Sequence, residues 1–351
     1  MKNNNCIVYV LCPANYEAGG ADALHQMVYY LNCIDVESKI VYVKKLNEKV
    51  SIPERYKIYV DSYILEEDIK DLPENKIIIP EIYTKKRLQY KSCRKYIWWL
   101  GINSALSWNI WKKIYFLTTL LIRILIHRSQ YKTDVLWTIK SVLKNKESYP
   151  FNKEDPEIIH LCASYHALNY VSKRSGNKTL LCIEPISKTF LDGYLRENDF
   201  SMWKRKNVIL YNPARKYTHI LEKISRVAPE LIFEPLRGLT QEQLIEKYKT
   251  SKLYVDFGAF PGAERIPKEA VLYGCAIITG KRGASGFHGD VSIPEEYKFG
   301  NPEKQIKEIV EKIRFMLNNY ERIYSDFDEY RNTVLNLEDN FIKSLKDIFL
   351  Q

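Results

Sequence analysis

The sequence predicts an α/β protein built from two successive domains, each with a parallel sheet covered by helices on both faces. Three observations carry this expectation. Short apolar runs rich in Val, Ile and Leu alternate with helical patterns along the chain, as strands buried on both faces require. The alternation restarts near residue 207 after a polar stretch. Turns of Gly, Pro and basic residues follow several strands, where parallel α/β folds hold their ligands. A length of 351 residues suits two domains of about 150–200 residues each.

The expected strands of the first array are "CIVYVLC" (6–12), "SKIVYV" (38–43), "KIYV" (57–60), "KIIIP" (76–80), "YIWWL" (96–100), "EIIHLCA" (157–163) and "TLLCIEP" (179–185). Between the first two, "GGADALHQMVYYLN" reads as a glycine turn opening a helix. The second array runs "NVILY" (207–211), helix "KYTHILEKISRVA", "LIFEPL" (231–236), helix "TQEQLIEKYKTS", "KLYVDF" (252–257), helix "IPKEAVLYGC" and "AIIT" (276–279). Thr240 and Gln243 are spaced as a capping box for the middle helix. Residues 302–350 carry helical patterns to the end. These arrays predict Rossmann-like domains over 1–195 and 196–351, facing a cleft.

Composition narrows the setting. Seven cysteines are scattered, odd in number and without a C-x-x-C pair, which reads as free thiols in a reducing compartment. The N-terminal apolar run is short, strand-like and ended by Pro13, unlike a secretory signal. Both readings point to the cytoplasm. The net charge is +10, yet residues 85–146 hold fourteen Lys and Arg against Asp134 alone. That segment also holds five of the six tryptophans. Within the insertion at 94–146, Lys112, Thr119, Arg123 and Gln130 share one narrow helical stripe among Trp, Ile, Leu and Phe. Trp108, Trp111, Lys112, Lys113 and Arg123 therefore form a candidate surface for peripheral contact with an anionic inner membrane face. No nucleic-acid-binding motif accompanies the charge, so no nucleic acid partner is expected.

The candidate site residues cluster at predicted strand ends. In "YNPARK" the turn Asn212-Pro213 leads to Arg215 and Lys216 just before a helix, a natural place for a phosphate. In "FGAFPGAERIPKEA", Gly258, Pro261 and Gly262 would let the backbone approach a ligand, and Arg265 lies between two glutamates. Glu269, one turn into the next helix, suits hydrogen bonds from sugar or ribose hydroxyls. Glu264 precedes it on the loop. Lys281 and Arg282 follow the next strand. In the first domain, Gly19 and Gly20 open a helix that carries Asp22 and His25.

These residues resemble a known arrangement. "ERIPKEAVLYGCAIITG" is similar to the signature of GT-B glycosyltransferases, particularly the family 4-like group, and "PGAERIPKEA" resembles bacterial surface-polysaccharide transferases. "GGADALHQM" is similar to the first-domain glycine turn of such enzymes. The resemblance implies a nucleotide-sugar donor and a glycan or lipid-linked acceptor, with no metal and no further cofactor. It places Glu269 on the nucleotide ribose and Glu264 near the donor sugar, although the two stand five apart where the family more often has eight. It implies that Arg215 and Lys216, with Lys281 and Arg282, neutralise the leaving diphosphate. An inverting transfer would need a base, for which Asp22 and His25 are the candidates; a retaining one would not. Two other readings share the architecture: a sugar-nucleotide epimerase and a catalytically silent binding or assembly protein. A dehydrogenase is disfavoured, since "VLCPANYEAGGA" lacks G-x-G-x-x-G after the first strand.

Overall fold

The computed structural model describes residues 6–102, 118, 149–196, 204–213 and 218–350. The first sheet contains β1 (Val8–Pro13), β2 (Ser38–Val43), β3 (Ile64–Leu65), β4 (Lys76–Pro80), β5 (Arg94–Trp99), β6 (Ile159–Cys162) and β7 (Thr179–Leu181). All pair in parallel, in the order β3-β2-β1-β4-β5-β6-β7. The order reverses between β1 and β4, and α1 (Gly19–Cys33) leaves the carboxyl end of β1 at that point. The chain then adds α2 (Tyr165–Ser172) and, after β7, α3 (Lys188–Arg196).

The second sheet contains β8 (Lys206–Tyr211), β9 (Ile232–Pro235), β10 (Ser251–Asp256), β11 (Ala276–Gly280) and β12 (Lys298–Phe299), again parallel, in the order β12-β11-β10-β8-β9. Its reversal lies between β8 and β10. Around it pack α4 (Thr218–Val227), α5 (Gln241–Thr250), α6 (Arg265–Leu272), α7 (Ile306–Asn318), α8 (Tyr320–Ile323) and α9 (Asp328–Leu335). Thr240 caps α5 with the expected reciprocal box: its side chain accepts from Gln243 N at 3.3 Å, and the Gln243 side chain accepts from Thr240 N at 2.9 Å. Each sheet has its own apolar core, as strands dominated by β-branched residues on both faces demand.

One expected strand is a turn. In "KIYV" the amides of Lys57, Tyr59 and Val60 bond back to Glu54, Tyr56 and Tyr56, and the sheet gains the two-residue β3 instead. Pro53 starts this tight turn, which buries Tyr56, Tyr59 and Val60. The final helix, α10 (Leu337–Phe349), returns to the first domain. Its Phe341, Leu345 and Phe349 are buried in the first domain's core, with Phe341 stacked on Trp98 at 6.0 Å and edge-on to Tyr30 at 5.7 Å. The Tyr30 hydroxyl donates to Glu338 at 2.6 Å. The C-terminal residues thus belong by packing to the domain built from the N-terminal ones.

Candidate active site

The turn after β10 is fixed from beneath. Asp256, at the end of the strand, accepts from Gly258 N at 2.8 Å and from the Tyr254 hydroxyl at 3.0 Å. Phe260 N donates to Arg282 O at 3.0 Å, tying this turn to the one after β11. Gly283 has φ 72°, and a Cβ there would stand 2.0 Å from Phe260 O, so only glycine fits. The loop then meets the first domain. Ile102 N donates to Pro261 O at 3.0 Å, and a Cβ on Gly262 would stand 1.9 Å from Leu100 O. Gly262 therefore brings the backbone against the opposite domain, where the sequence suggested approach to a ligand.

That contact delivers α6 into the interdomain cleft. Glu264 is its N-cap residue and Arg265 its first helical residue. Glu269 is only 5% exposed. Tyr248 donates to its Oε2 at 3.3 Å, and Arg265 Nε lies 3.7 Å from its Oε1. Burial pushes the Glu269 carboxyl upward, and Arg265 opposes that shift. Arg265 Nη1 also reaches Asp22 Oδ2 of α1 at 3.1 Å. Arg55 Nη2 meets the same oxygen at 3.2 Å, and Gln26 donates to Oδ1 at 3.0 Å. A chain of alternating charge, Glu269–Arg265–Asp22–Arg55, thus crosses from one domain to the other. Burial works against the Arg265 charge, but Asp22 and Glu269 more than offset it, and its pKa is raised. Buried charges survive on such terms only when paired and hydrogen-bonded.

The cleft beside this chain encloses about 420 Å³. Gly19, Gly20, Arg55, Leu100 and Glu184 line it from the first domain, and Pro261, Gly262, Glu264, Arg265 and Glu269 from the second. A contiguous, mostly apolar hollow of about 390 Å³ shares Gly20 and Leu100 and runs over Pro13, Pro80 and Ile82, at the carboxyl ends of β1 and β4. A third hollow, of about 520 Å³, lies by Lys57–Ile64 at the amino end of β2. The first two sit at the strand-order reversal where parallel α/β folds bind ligands, and the third does not.

Other expectations fare unevenly. His25 is fully buried, with Nδ1 2.6 Å from Ala21 O, Nε2 2.8 Å from the Tyr42 hydroxyl and its ring stacked on Tyr56 at 4.1 Å. Burial pushes its imidazole down to about 4. With both nitrogens bonded inside the core, it is not placed to take a substrate proton. Asp22, 1% exposed, is likewise occupied by two guanidiniums and an amide, so the role of base does not fit it either. Lys281 is exposed and pairs with Glu295 at 2.7 Å, and the exposed Arg282 lies beside it, outside the cleft lining. Asn212 and Pro213 form the half-buried turn after β8. Arg215, Lys216, Trp108, Trp111, Lys112, Lys113 and Arg123 lie outside the described residues.

Sequence reasoning passed over four residues. Arg55 completes the charge chain. Glu184, 6% exposed, lines the cleft just beyond β7, and its Oε2 has no hydrogen-bond partner. Lys268 of α6 is buried and electrostatically coupled to it. Burial raises the Glu184 carboxyl, with Lys268 and Arg265 opposing, to about 7, and burial lowers the Lys268 amine. Asp290 accepts from Tyr165 N at 2.7 Å and His166 N at 2.9 Å, joining the second domain to the start of α2. The available signal for Glu184 was its position, a carboxylate before proline at a strand's carboxyl end. Among the described residues, no group of three or more His, Cys, Asp or Glu is placed to hold a metal ion, and no helix is long and apolar enough to cross a membrane.

No family model and no curated protein sequence matches the chain. Solved structures do. The chain is similar to a sucrose-phosphate synthase from Thermosynechococcus elongatus, with a TM-score of 0.57 at 12% identity over 99% of this chain and 98% of that one. It is similar to a glycosyltransferase from Rickettsia africae, with a TM-score of 0.55 at 12% identity over 98% and 99%. It also resembles WaaG, a glycosyltransferase involved in lipopolysaccharide biosynthesis, with a TM-score of 0.50 at 10% identity over 98% and 99%. At such identities the likeness is one of fold: two Rossmann-like domains facing a cleft, the GT-B architecture, over nearly the whole chain.

Proposed function

We propose that the protein is a glycosyltransferase that moves a sugar from a nucleotide-sugar donor to a lipid-linked or polysaccharide acceptor in bacterial cell-surface glycan synthesis. The observation that carries this reading is Glu269, a buried carboxylate held by Arg265 and Tyr248 at the mouth of an interdomain cleft. Such a group suits hydrogen bonds from ribose hydroxyls. Arg265 and the amino end of α6 suit the charge that develops on a departing diphosphate. The apolar hollow beyond Gly20 and Leu100 offers the acceptor a neighbouring surface. The resemblance of "PGAERIPKEA" to surface-polysaccharide transferases and the likeness to WaaG support the cell-surface setting.

The test is thermal stabilisation by UDP, GDP, CMP and TDP and their common sugar conjugates, with Glu269→Ala in parallel. At about a hundred times the dissociation constant, a bound nucleotide stabilises by about 2.7 kcal/mol. Stabilisation of the wild type and not of the variant is expected; none with a folded wild type refutes the reading. The proposed site of action is the cytoplasmic face of the membrane. Pelleting with anionic vesicles should occur and should fall when Lys112, Lys113 and Arg123 are neutralised together; unchanged pelleting removes the membrane contact.

A further inference from the structure

We propose that the tight turn at residues 53–60 positions the glycine loop for transfer, with Tyr56 as the positioning residue that sets where Gly19 and Gly20 stand. This rests on the transferase reading above and adds a residue that lines neither chamber. Gly20 is common to the cleft and the apolar hollow, Gly19 lines the cleft, and Tyr16 and Ala18 line the hollow. The loop is thus the partition between the two chambers. It has little slack: a Cβ on Gly19 would stand 3.2 Å from Arg265 Cδ, and one on Gly20 3.5 Å from Leu100 Cδ1. α1 leaves this loop without a side-chain cap, because its N-cap residue is Ala18. The Tyr56 hydroxyl takes over. It accepts from Ala18 N at 3.1 Å, the bond that the glutamate of a capping box makes. Its own proton faces Ala18 O at 3.2 Å and Tyr16 O at 3.4 Å.

Tyr56 can hold the loop because it is itself fixed. Its ring is fully buried and stacks on His25 at 4.1 Å, and its amide closes the turn on Pro53 O at 2.9 Å. His25 in turn holds Ala21 O, one residue past Gly20. The same turn grips α1 at two further points. Arg55 reaches Asp22 Oδ2 at 3.2 Å, and the Tyr59 hydroxyl accepts from Gln26 Nε2 at 3.1 Å. Ala18, Asp22 and Gln26 lie four apart and so share one face of the helix. Tyr59 also accepts from Lys188 N at 2.9 Å, and Gln26 donates to Ile186 O at 3.2 Å, so the start of α3 sits in the same clamp. Removing the Tyr56 hydroxyl leaves the Arg55 and Tyr59 grips in place and loosens the loop end alone. Transfer depends on the two substrates meeting within a fraction of an ångström, and a displacement of about 1 Å costs about 100-fold in rate.

The experiment compares wild type, Tyr56→Phe, and Tyr56→Phe combined with Ala18→Ser, which supplies the missing cap. The readouts are Tm, nucleotide Kd, and diphosphate release from UDP-glucose, or from whichever nucleotide sugar stabilises the protein, with octyl glycosides supplied as acceptors. Tyr56→Phe should lower kcat by about 10–100-fold and lower Tm. It should leave the nucleotide Kd near the wild-type value, since Glu269 and Tyr248 belong to the other domain. The double variant should regain Tm and not kcat, and it carries the test where Tyr56→Phe alone does not fold. Amide exchange at position 18 should quicken in both. A near-normal kcat in Tyr56→Phe, or a kcat that returns with Tm in the double variant, overturns the assignment, because the hydroxyl would then only stabilise α1. A nucleotide Kd weakened by the same factor as kcat overturns it too. Nucleotide stabilisation stands in each of those cases, and with it the transferase reading. A wild type without turnover, whether or not nucleotides stabilise it, overturns the two together.

Discussion

Replacing Glu184 by glutamine should change stability in a pH-dependent way that needs no substrate to observe. The wild-type carboxyl titrates near 4.5 when exposed and at about 7 in the fold, because burial outweighs Lys268 and Arg265. The folded state therefore binds the proton more tightly than the unfolded one. That stabilisation is complete below about pH 4.5 and is lost as pH rises through 7. For these two values, roughly 2–3 kcal/mol disappears between pH 5 and pH 8. Glutamine has the shape of the neutral acid and does not titrate. Relative to wild type, Glu184→Gln should thus gain roughly 2–3 kcal/mol between pH 5 and pH 8, or about 3–4 °C in Tm for a chain of this length. The comparison must be between the two proteins. His25 runs the opposite way: its folded value of about 4 lies below the unfolded 6.5, so its stabilisation is present above 6.5 and fades as pH falls toward 4. The wild-type curve alone mixes the two slopes, whereas the difference cancels His25. Scanning calorimetry of both proteins at pH 5, 6.5 and 8 reads it directly. An equal Tm difference at all three values would mean that Glu184 is not displaced from ordinary glutamate behaviour, and the argument from its burial would fail.

Other perturbations test the interdomain contacts. Gly262→Ala puts a methyl 1.9 Å from Leu100 O and should cost about 1–3 kcal/mol, whereas Gly101→Ala, 3.5 Å from Pro261 O, should cost far less; equal Tm values would refute the close approach. Arg265→Ala strips buried Asp22 of one guanidinium and should cost about 3–5 kcal/mol in urea unfolding. Arg265→Lys should recover little, because one ammonium does not span Asp22 and Glu269 as the guanidinium does. Phe341→Ala should cost about 3–5 kcal/mol and destabilise the first domain's core, read as faster amide exchange around Trp98 and Tyr30. Exchange altered only around α7–α9 would show that α10 belongs to the second domain instead.

Much of the fold was legible because its signals are local. The runs "IVYVLC", "KIIIP" and "KLYVDF" can bury both faces only inside a parallel sheet, and both sheets form where those runs stand. "KIYV" misled because four residues, three of them apolar and β-prone, fit a short strand and a tight turn equally, and Pro53 with the Tyr56 carbonyl decides for the turn. The "ERIPKEA" helix was legible too, and Glu269 does face the cleft. Its neighbours were not. Nothing near Gly262 reveals that its missing side chain makes room for Leu100, and nothing near Asp22 reveals Arg265, because those pairs meet only after the two domains dock. A carboxylate on an early helix looks like a base until its partners are known. Glu184 shows the converse: alone in "CIEP" it looks structural, and only the fold shows it buried in the cleft lining and facing Lys268.

The double pairing of Asp22 leads to a last prediction. A donor diphosphate entering the cleft would compete with Asp22 for Arg265, since a guanidinium binds phosphate and carboxylate through the same forked donors. If Arg265 were the sole partner of Asp22, releasing it would strand a buried carboxylate at a cost of several kcal/mol. Arg55 removes that obstacle by holding the same oxygen, at 3.2 Å against 3.1 Å for Arg265. Arg55→Ala should therefore weaken nucleotide binding by about 10-fold or more, even if Arg55 never touches the ligand, because Arg265 becomes indispensable to Asp22. Asp22→Asn in the same chain removes the buried charge and should restore most of the loss. Isothermal titration of wild type, both single variants and the double variant with the stabilising nucleotide closes this cycle. A double variant as weak as Arg55→Ala would mean that Arg55 binds the nucleotide itself, and that Asp22 is not what competes with the nucleotide for Arg265.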